Sequence, residues 1–179
     1  MREIIYRLSF DFQYDFADIA ESFNGASSLD LTSETPNLLN FFKYDWKASE
    51  SNIKPNFVII NSELLGCEKT LFKGLSDKIL GLRLYPIRIV DDEYLIFTNI
   101  QTIPNCINIK KSKVIRFSNG DIMEISSPVF MPDNYPILFK VEEIPSSIFC
   151  NHEFKDYITK NSYSGLLFKE CPIKSKSWI

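Results

Sequence analysis

The chain has 179 residues, of which 45% are hydrophobic, 24% charged and 14% aromatic, with fifteen Phe and eight Tyr. Such a composition excludes disorder over the whole length and predicts one domain, 1–179, built around large rings. A formal net charge of −3 and a pI near 5.3 lack the basic surplus by which nucleic-acid-binding domains release counterions from phosphates, so no nucleic-acid partner is expected.

No apolar run nears the ~20 residues that span a bilayer, and Arg7 and Asp11 break up the first segment. Neither a membrane partner nor a secretory leader is expected, and the sequence predicts a soluble, cytoplasmic protein. Cys67, Cys106, Cys150 and Cys171 include no C-x-x-C spacing. They read as reduced, buried thiols with no metal site or cofactor.

Residues 3–14 alternate loosely through Ile4, Tyr6, Leu8, Phe10 and Phe12 and predict an opening strand. Phe16, Ile19, Ala20 and Phe23 fall at helical spacing before Asn24-Gly25, which predicts a short helix. Ala26 to Pro36 reads as loop, Leu38 to Trp46 fits no class, and Lys47 to Pro55 is turn-like. Phe57-Val58-Ile59-Ile60 reads as a short strand. Asn61 as N-cap, Glu63 in a first turn, and Leu64, Leu65, Leu71 and Phe72 as an apolar face predict a subsequent helix that ends at Gly74.

Leu82 to Phe97 predicts a hairpin turning at Asp91-Asp92, with Pro86 requiring an edge or a bulge. A second hairpin is predicted around Asn119-Gly120, with arms Val114 to Ser118 and Asp121 to Ile125 and a type I′ turn. Residues 137–142 and 147–150 read as strands. A capped helix from Asn151 to Asn161 carries Phe154, Tyr157 and Ile158 on one face, and 165–169 is a last strand before a polar tail that frays. Val58-Ile59-Ile60-Asn61-Ser62-Glu63-Leu64 echoes Ile148-Phe149-Cys150-Asn151-His152-Glu153-Phe154 in character. The echo predicts a pair of strand–helix–strand units flanking the hairpins. The fold class is therefore α+β: a mostly antiparallel sheet of hairpins with a few short helices packed on it.

His152 is the sole histidine, which removes most acid–base, nucleophilic and zinc schemes. A Cys150–His152 pair has no evident orienting carboxylate, and no catalytic residue is assigned. Carboxylates gather at Asp91-Asp92-Glu93 and Glu142-Glu143. Turn chemistry alone explains the first cluster. The functional reading of both is an acidic partner-binding surface, ahead of a carboxylate pair for glycosidase or metal chemistry. Lys110, Lys111, Lys113 and Arg116 form the one basic stretch of note, with Lys111 and Lys113 on one strand face that could touch phosphate, although Lys on strands is also ordinary edge protection.

From about Phe57 to Phe168 the order of features resembles bacterial polymorphic-toxin immunity proteins of the immunity protein 43 and immunity protein 11 kind. The resemblance is carried by Ile59, Ile60, Ser62, Glu63 and Leu64, then Leu84-Tyr85-Pro86-Ile87, then Tyr94, Ile96 and Asn99, then Cys106, Ile107 and Ser112. It closes with Ile148, Phe149, Glu153, Phe154, Lys155, Asp156, Ile158, Gly165, Leu166 and Phe168. Asn108 stands where the family has an acidic residue, and His152 where Ser is usual; 1–55 adds little. The resemblance implies a non-enzymatic protein that neutralises a cognate secreted toxin by stoichiometric binding. The alternative is a small-ligand-binding protein or enzyme with a pocket on the central sheet.

Overall fold

The computed structural model describes residues 4–22, 39–40, 42–75 and 82–174. Half of them lie in strands, joined by two short α-helices. The strands are β1 (Ile4–Phe10), β2 (Phe16–Ser22), β3 (Phe42–Lys47), β4 (Phe57–Ile60), β5 (Leu64–Glu68), β6 (Arg83–Ile89) and β7 (Asp92–Thr98). They continue with β8 (Thr102–Ile103), β9 (Lys113–Arg116), β10 (Ile122–Ser127), β11 (Leu138–Val141), β12 (Ile144–Cys150) and β13 (Leu166–Pro172). The helices are α1 (Phe72–Leu75), which comes directly after a 3-10 turn at Lys69–Leu71, and α2 (His152–Lys160). The α+β class of hairpin-built sheets with short helices is what the sequence predicts.

The chain forms two compact units that interleave in sequence: Met1–Leu8, Gln101–Tyr157 and Phe168–Ile179 in the first, Ser9–Ile100 and Ile158–Leu167 in the second. The first holds the five-stranded sheet β13-β1-β12-β11-β8 and the two-stranded hairpin β9-β10. Its core is aromatic: Phe130 meets Tyr135, Phe139 and Phe149 edge-on at 5.2–6.0 Å between centroids, and Phe139 stacks on Tyr135 and Phe149. Such pairs add about 0.5–1.5 kcal/mol each beyond area burial.

The second unit holds the six-stranded sheet β2-β3-β6-β7-β5-β4. Its outer strands β2 and β4 lie against one another, so the sheet nearly closes into a barrel. Inside pack Leu39, Tyr44, Val58, Leu64, Ile89 and Ile96, each at most 6% exposed. Strand β6 joins β3 through the single parallel pair Tyr44↔Ile89 and the bond from Val90 N to Tyr44 O (3.3 Å). Backbone direction alternates along a strand, so Pro86, four residues before Val90, turns its missing N–H toward the side where no β3 residue pairs with it. That is the edge-like position proline requires.

Two predicted helices are strands. Residues 16–22 form β2, antiparallel to β3 from Phe16↔Lys47 to Ser22↔Phe42. The same apolar spacing fits period 2 through Ala17 and Ile19, and the partner strand decides. Phe23 to Gly25 and the predicted loop 26–36 lie outside the described residues. After β4 the chain does not start a helix but turns back as β5, paired from Phe57↔Cys67 to Ile60↔Leu64. Asn61 and Ser62 take φ of 52° and 60°, and Glu63 N donates to Ile60 O (3.2 Å). Asn is a residue that tolerates this left-handed turn. Leu64, Leu65, Gly66 and Cys67 are all buried, and such an unbroken apolar run has no period to distinguish strand from helix. Only α1, one turn long, remains of the predicted helix, so the first strand–helix–strand unit is absent and the second, β12-α2-β13, is present.

Asn151 does cap α2: its Oδ1 accepts from the backbone N of Glu153 (3.0 Å) and Phe154 (3.3 Å). Phe154 and Ile158 are each 2% exposed, and Tyr157 is half-buried. The β6–β7 turn is Val90-Asp91 rather than Asp91-Asp92, because Ile89 already pairs with Asp92. At the β9–β10 turn Gly120 N donates to Phe117 O (3.0 Å), Phe117 N donates to Asp121 O (2.9 Å), and only Gly120 has positive φ (92°). This is a three-residue loop with a glycine bulge, not the expected type I′ pair. Lys174 N donates to Phe130 O, and the rest of the polar tail, 175–179, lies outside the described residues.

Candidate functional site

The acidic tip of the β6–β7 hairpin is neutralised locally. Asp92 receives Lys54 Nζ at 2.6 Å and Trp46 Nε1 at 2.8 Å. Partial burial pushes its carboxyl upward, but the Lys54 and Trp46 hydrogen bonds outweigh that and hold it below the ordinary aspartate value. Glu93 is paired with Lys69 at 2.7 Å and with Arg88 at 4.0 Å, and the Lys69 bond and charge hold it low as well. Only Asp91 has neither an ion pair nor a hydrogen bond to its side chain among the described residues. Three cations thus stand beside three carboxylates, and little acidic potential is left over for a partner.

Glu142 and Glu143 make the two-residue turn between β11 and β12, where Val141 pairs with Ile144. Glu142 is exposed. Glu143 folds back: its Oε1 accepts from Ile107 N at 3.2 Å, and its Oε2 is buried with no hydrogen-bond partner among the described residues. Burial, then the charges of Glu143, Asp133 and Glu142, push the Cys106 thiol up to about 11. The two acidic groups belong to different units, Asp91 to Glu93 in the second and Glu142-Glu143 in the first.

Cys150 and His152 do not form a pair of equals. Cys150 ends β12 at 0% exposure with its thiol pushed up by burial, whereas His152 is exposed as the first residue of α2. A protonated, buried thiol is a poor nucleophile. Cys67 and Cys171 are also buried free thiols, raised chiefly by burial to about 12 and about 11. Among the described residues no group of three His, Cys, Asp or Glu side chains could hold a metal ion. No helix among them is long and apolar enough to cross a membrane.

Two further surface features stand out among the described residues. The first is a 510 Å³ cleft where β3 and β6 diverge, lined by Asn40, Phe42, Lys43, Tyr44, Pro86 and Arg88 among others. Of its lining, Lys43 is tied to Glu21 at 2.8 Å and Asn40 Nδ2 bonds the Tyr85 hydroxyl.

The second feature, which sequence reasoning missed as a site, is the β9–β10 hairpin. Its root is fixed: Ser112 Oγ donates to Asn108 O (2.8 Å) and accepts from Val129 N (2.9 Å), and Ile125 is buried. Asn108 opens that turn, its Oδ1 accepting from Lys111 N. Lys111 therefore lies in the turn before β9, not on a strand face shared with Lys113. Beyond the root, Ile115, Phe117, Ile122 and Met123 are 43%, 53%, 40% and 60% exposed. Large apolar side chains at adjoining positions of one hairpin are legible in the sequence, but without the fold they pass as ordinary strand residues. No protein-family model matches the chain, and no curated protein matches it.

Proposed function

We propose that this chain is an immunity-type protein that binds a cognate secreted antibacterial toxin and neutralises it by stoichiometric occlusion, without catalysis of its own. The observation that carries the reading is the β9–β10 hairpin. It is anchored at its root and presents four apolar side chains to solvent, the kind of exposed apolar surface that marks protein-interaction sites. The resemblance of residues 57–168 to immunity proteins supplies the class of partner. The test is to tag the chain in its own cells, isolate what it retains, and titrate that protein back. One protein partner at a 1:1 ratio, whose toxicity the chain abolishes, is expected. Recovery of the chain with no toxic partner would sink the reading.

The cleft between β3 and β6 favours a second reading, small-ligand binding, since 510 Å³ falls within the ~300–1,000 Å³ of ligand pockets. A metabolite set that raises the melting temperature, with the effect lost in Arg88→Ala, would support it over the first.

A further inference from the structure

We infer that β9 is a docking edge, which takes an extended acidic segment of a partner protein as an added strand. This deepens the partner-binding reading above and rests on it. Strand β9 pairs only with β10, from Arg116↔Ile122 to Lys113↔Ser127, and no other strand among the described residues lies beside it. An unpaired edge offers a row of backbone donors and acceptors, to which an extended peptide can add by main-chain hydrogen bonds.

Charge selects the occupant. Residues 110–127 carry four cations, Lys110, Lys111, Lys113 and Arg116, against Asp121 and Glu124, in a chain whose formal net charge is −3. No ion pair among the described residues involves Lys110, Lys113 or Arg116, in contrast to the neutralised β6–β7 tip. A second copy is disfavoured, because antiparallel pairing of β9 on itself sets Lys113 opposite Arg116, and like charges directly opposite repel. A lipid surface is disfavoured too, since Asp121 and Glu124 flank Ile122 and Met123 beside the polar turn Ser118-Asn119-Gly120. Edge protection by lysine accounts for Lys113 alone. It leaves the exposure of Phe117 without a reason, whereas an added strand with acidic residues three apart among apolar ones would cover that ring and meet Lys113 and Arg116, which lie on opposite faces of β9.

The test uses the full chain labelled with ¹⁵N and two synthetic twelve-residue peptides, one with Glu at every third position among Val and Phe, the other with Lys in place of Glu. Expected is binding of the acidic peptide alone, with amide shifts concentrated on Lys113–Arg116. Affinity should fall at least ~tenfold in the double variant Lys113→Glu, Arg116→Glu, and also on raising the salt. Equal binding of both peptides, shifts confined to other segments, or no binding would overturn the inference. So would a dimer in sedimentation that the double variant abolishes, or binding to phosphatidylglycerol vesicles in place of the peptide. Because no toxin enters this assay, a chain that protects cells yet ignores the acidic peptide loses the β9 assignment alone. A chain that binds the peptide yet has no toxic partner loses the immunity reading alone.

Discussion

Replacing Gly165 with alanine should cost several times more than the same change at Gly120, although both residues have positive φ, 102° and 92°. A side chain forced into the left-handed region costs ~1–2 kcal/mol on its own. At Gly120 nothing lies within 4 Å of the added Cβ, so the cost ends there. At Gly165 the new Cβ would sit 2.1 Å from Phe57 O and 2.7 Å from Pro55 Cβ, and backbone cannot yield as a flexible side chain does. The loop must move away from 55–57, where Phe57 N donates to Ser164 O (3.0 Å) and Asn56 exchanges bonds with Ser164 (3.1 Å each). Two or three of these bonds lost at ~1 kcal/mol each bring the total to roughly 3–5 kcal/mol. With a urea slope near ~2 kcal/mol/M, the unfolding midpoint should drop by about 2 M for Gly165→Ala and by less than about 1 M for Gly120→Ala. Equal shifts in the two variants would refute the packing of Ser164-Gly165 on 55–57.

Phe154→Ala should cost about 3–5 kcal/mol in the same assay, because the ring is 2% exposed and truncation leaves a cavity; a cost below ~1 kcal/mol would mean the α2 face is not docked. The four thiols should resist alkylation in the native state and react on unfolding, and strong reductant should leave the midpoint unchanged, since all are free, buried and raised in pKa. Asp92→Asn should lower stability at neutral pH. Because the folded Asp92 carboxyl is held below its ordinary value, its contribution is complete above that value and fades as pH falls through the lower folded one. The gap between parent and variant should therefore close below about pH 4, and a gap independent of pH would refute the Lys54–Asp92–Trp46 arrangement.

The two echoing heptads show where local reading ends. Both present Asn with Glu two residues later, yet Asn151 caps a helix and Asn61 makes a left-handed turn. The residues C-terminal to each heptad decide between the two outcomes. After Phe154, polar residues separate Tyr157 and Ile158 from it at helical spacing, so a helix buries one face. After Leu64 come Leu65-Gly66-Cys67, an apolar run interrupted by a poor helix former, whose two faces are both buried and whose two edges pair with β4 and β7.

Hairpins whose turns carry Asp or Asn-Gly were legible to within a residue, because turn chemistry is local. Strand β2 was not, since its partner β3 lies some 25 residues on in a segment with no clear period. Of the proposed partner-binding residues, the sequence located the charges but not their neighbours. Lys54 and Lys69 lie 38 and 24 residues from the carboxylates they meet, and that distance hid the neutralisation of the acidic tip. The exposed apolar side chains beside β9 went unseen for the same reason, because exposure is a property of what fails to pack against a strand.

The central claim is most directly tested by calorimetric titration of the purified chain against the toxin-class protein recovered with it, alongside growth of cells expressing that protein with and without the chain. The account predicts a 1:1 complex and full rescue of growth, at a ratio of chain to toxin near unity. Rescue by substoichiometric chain would point to catalysis instead, and it would contradict neutralisation by occlusion.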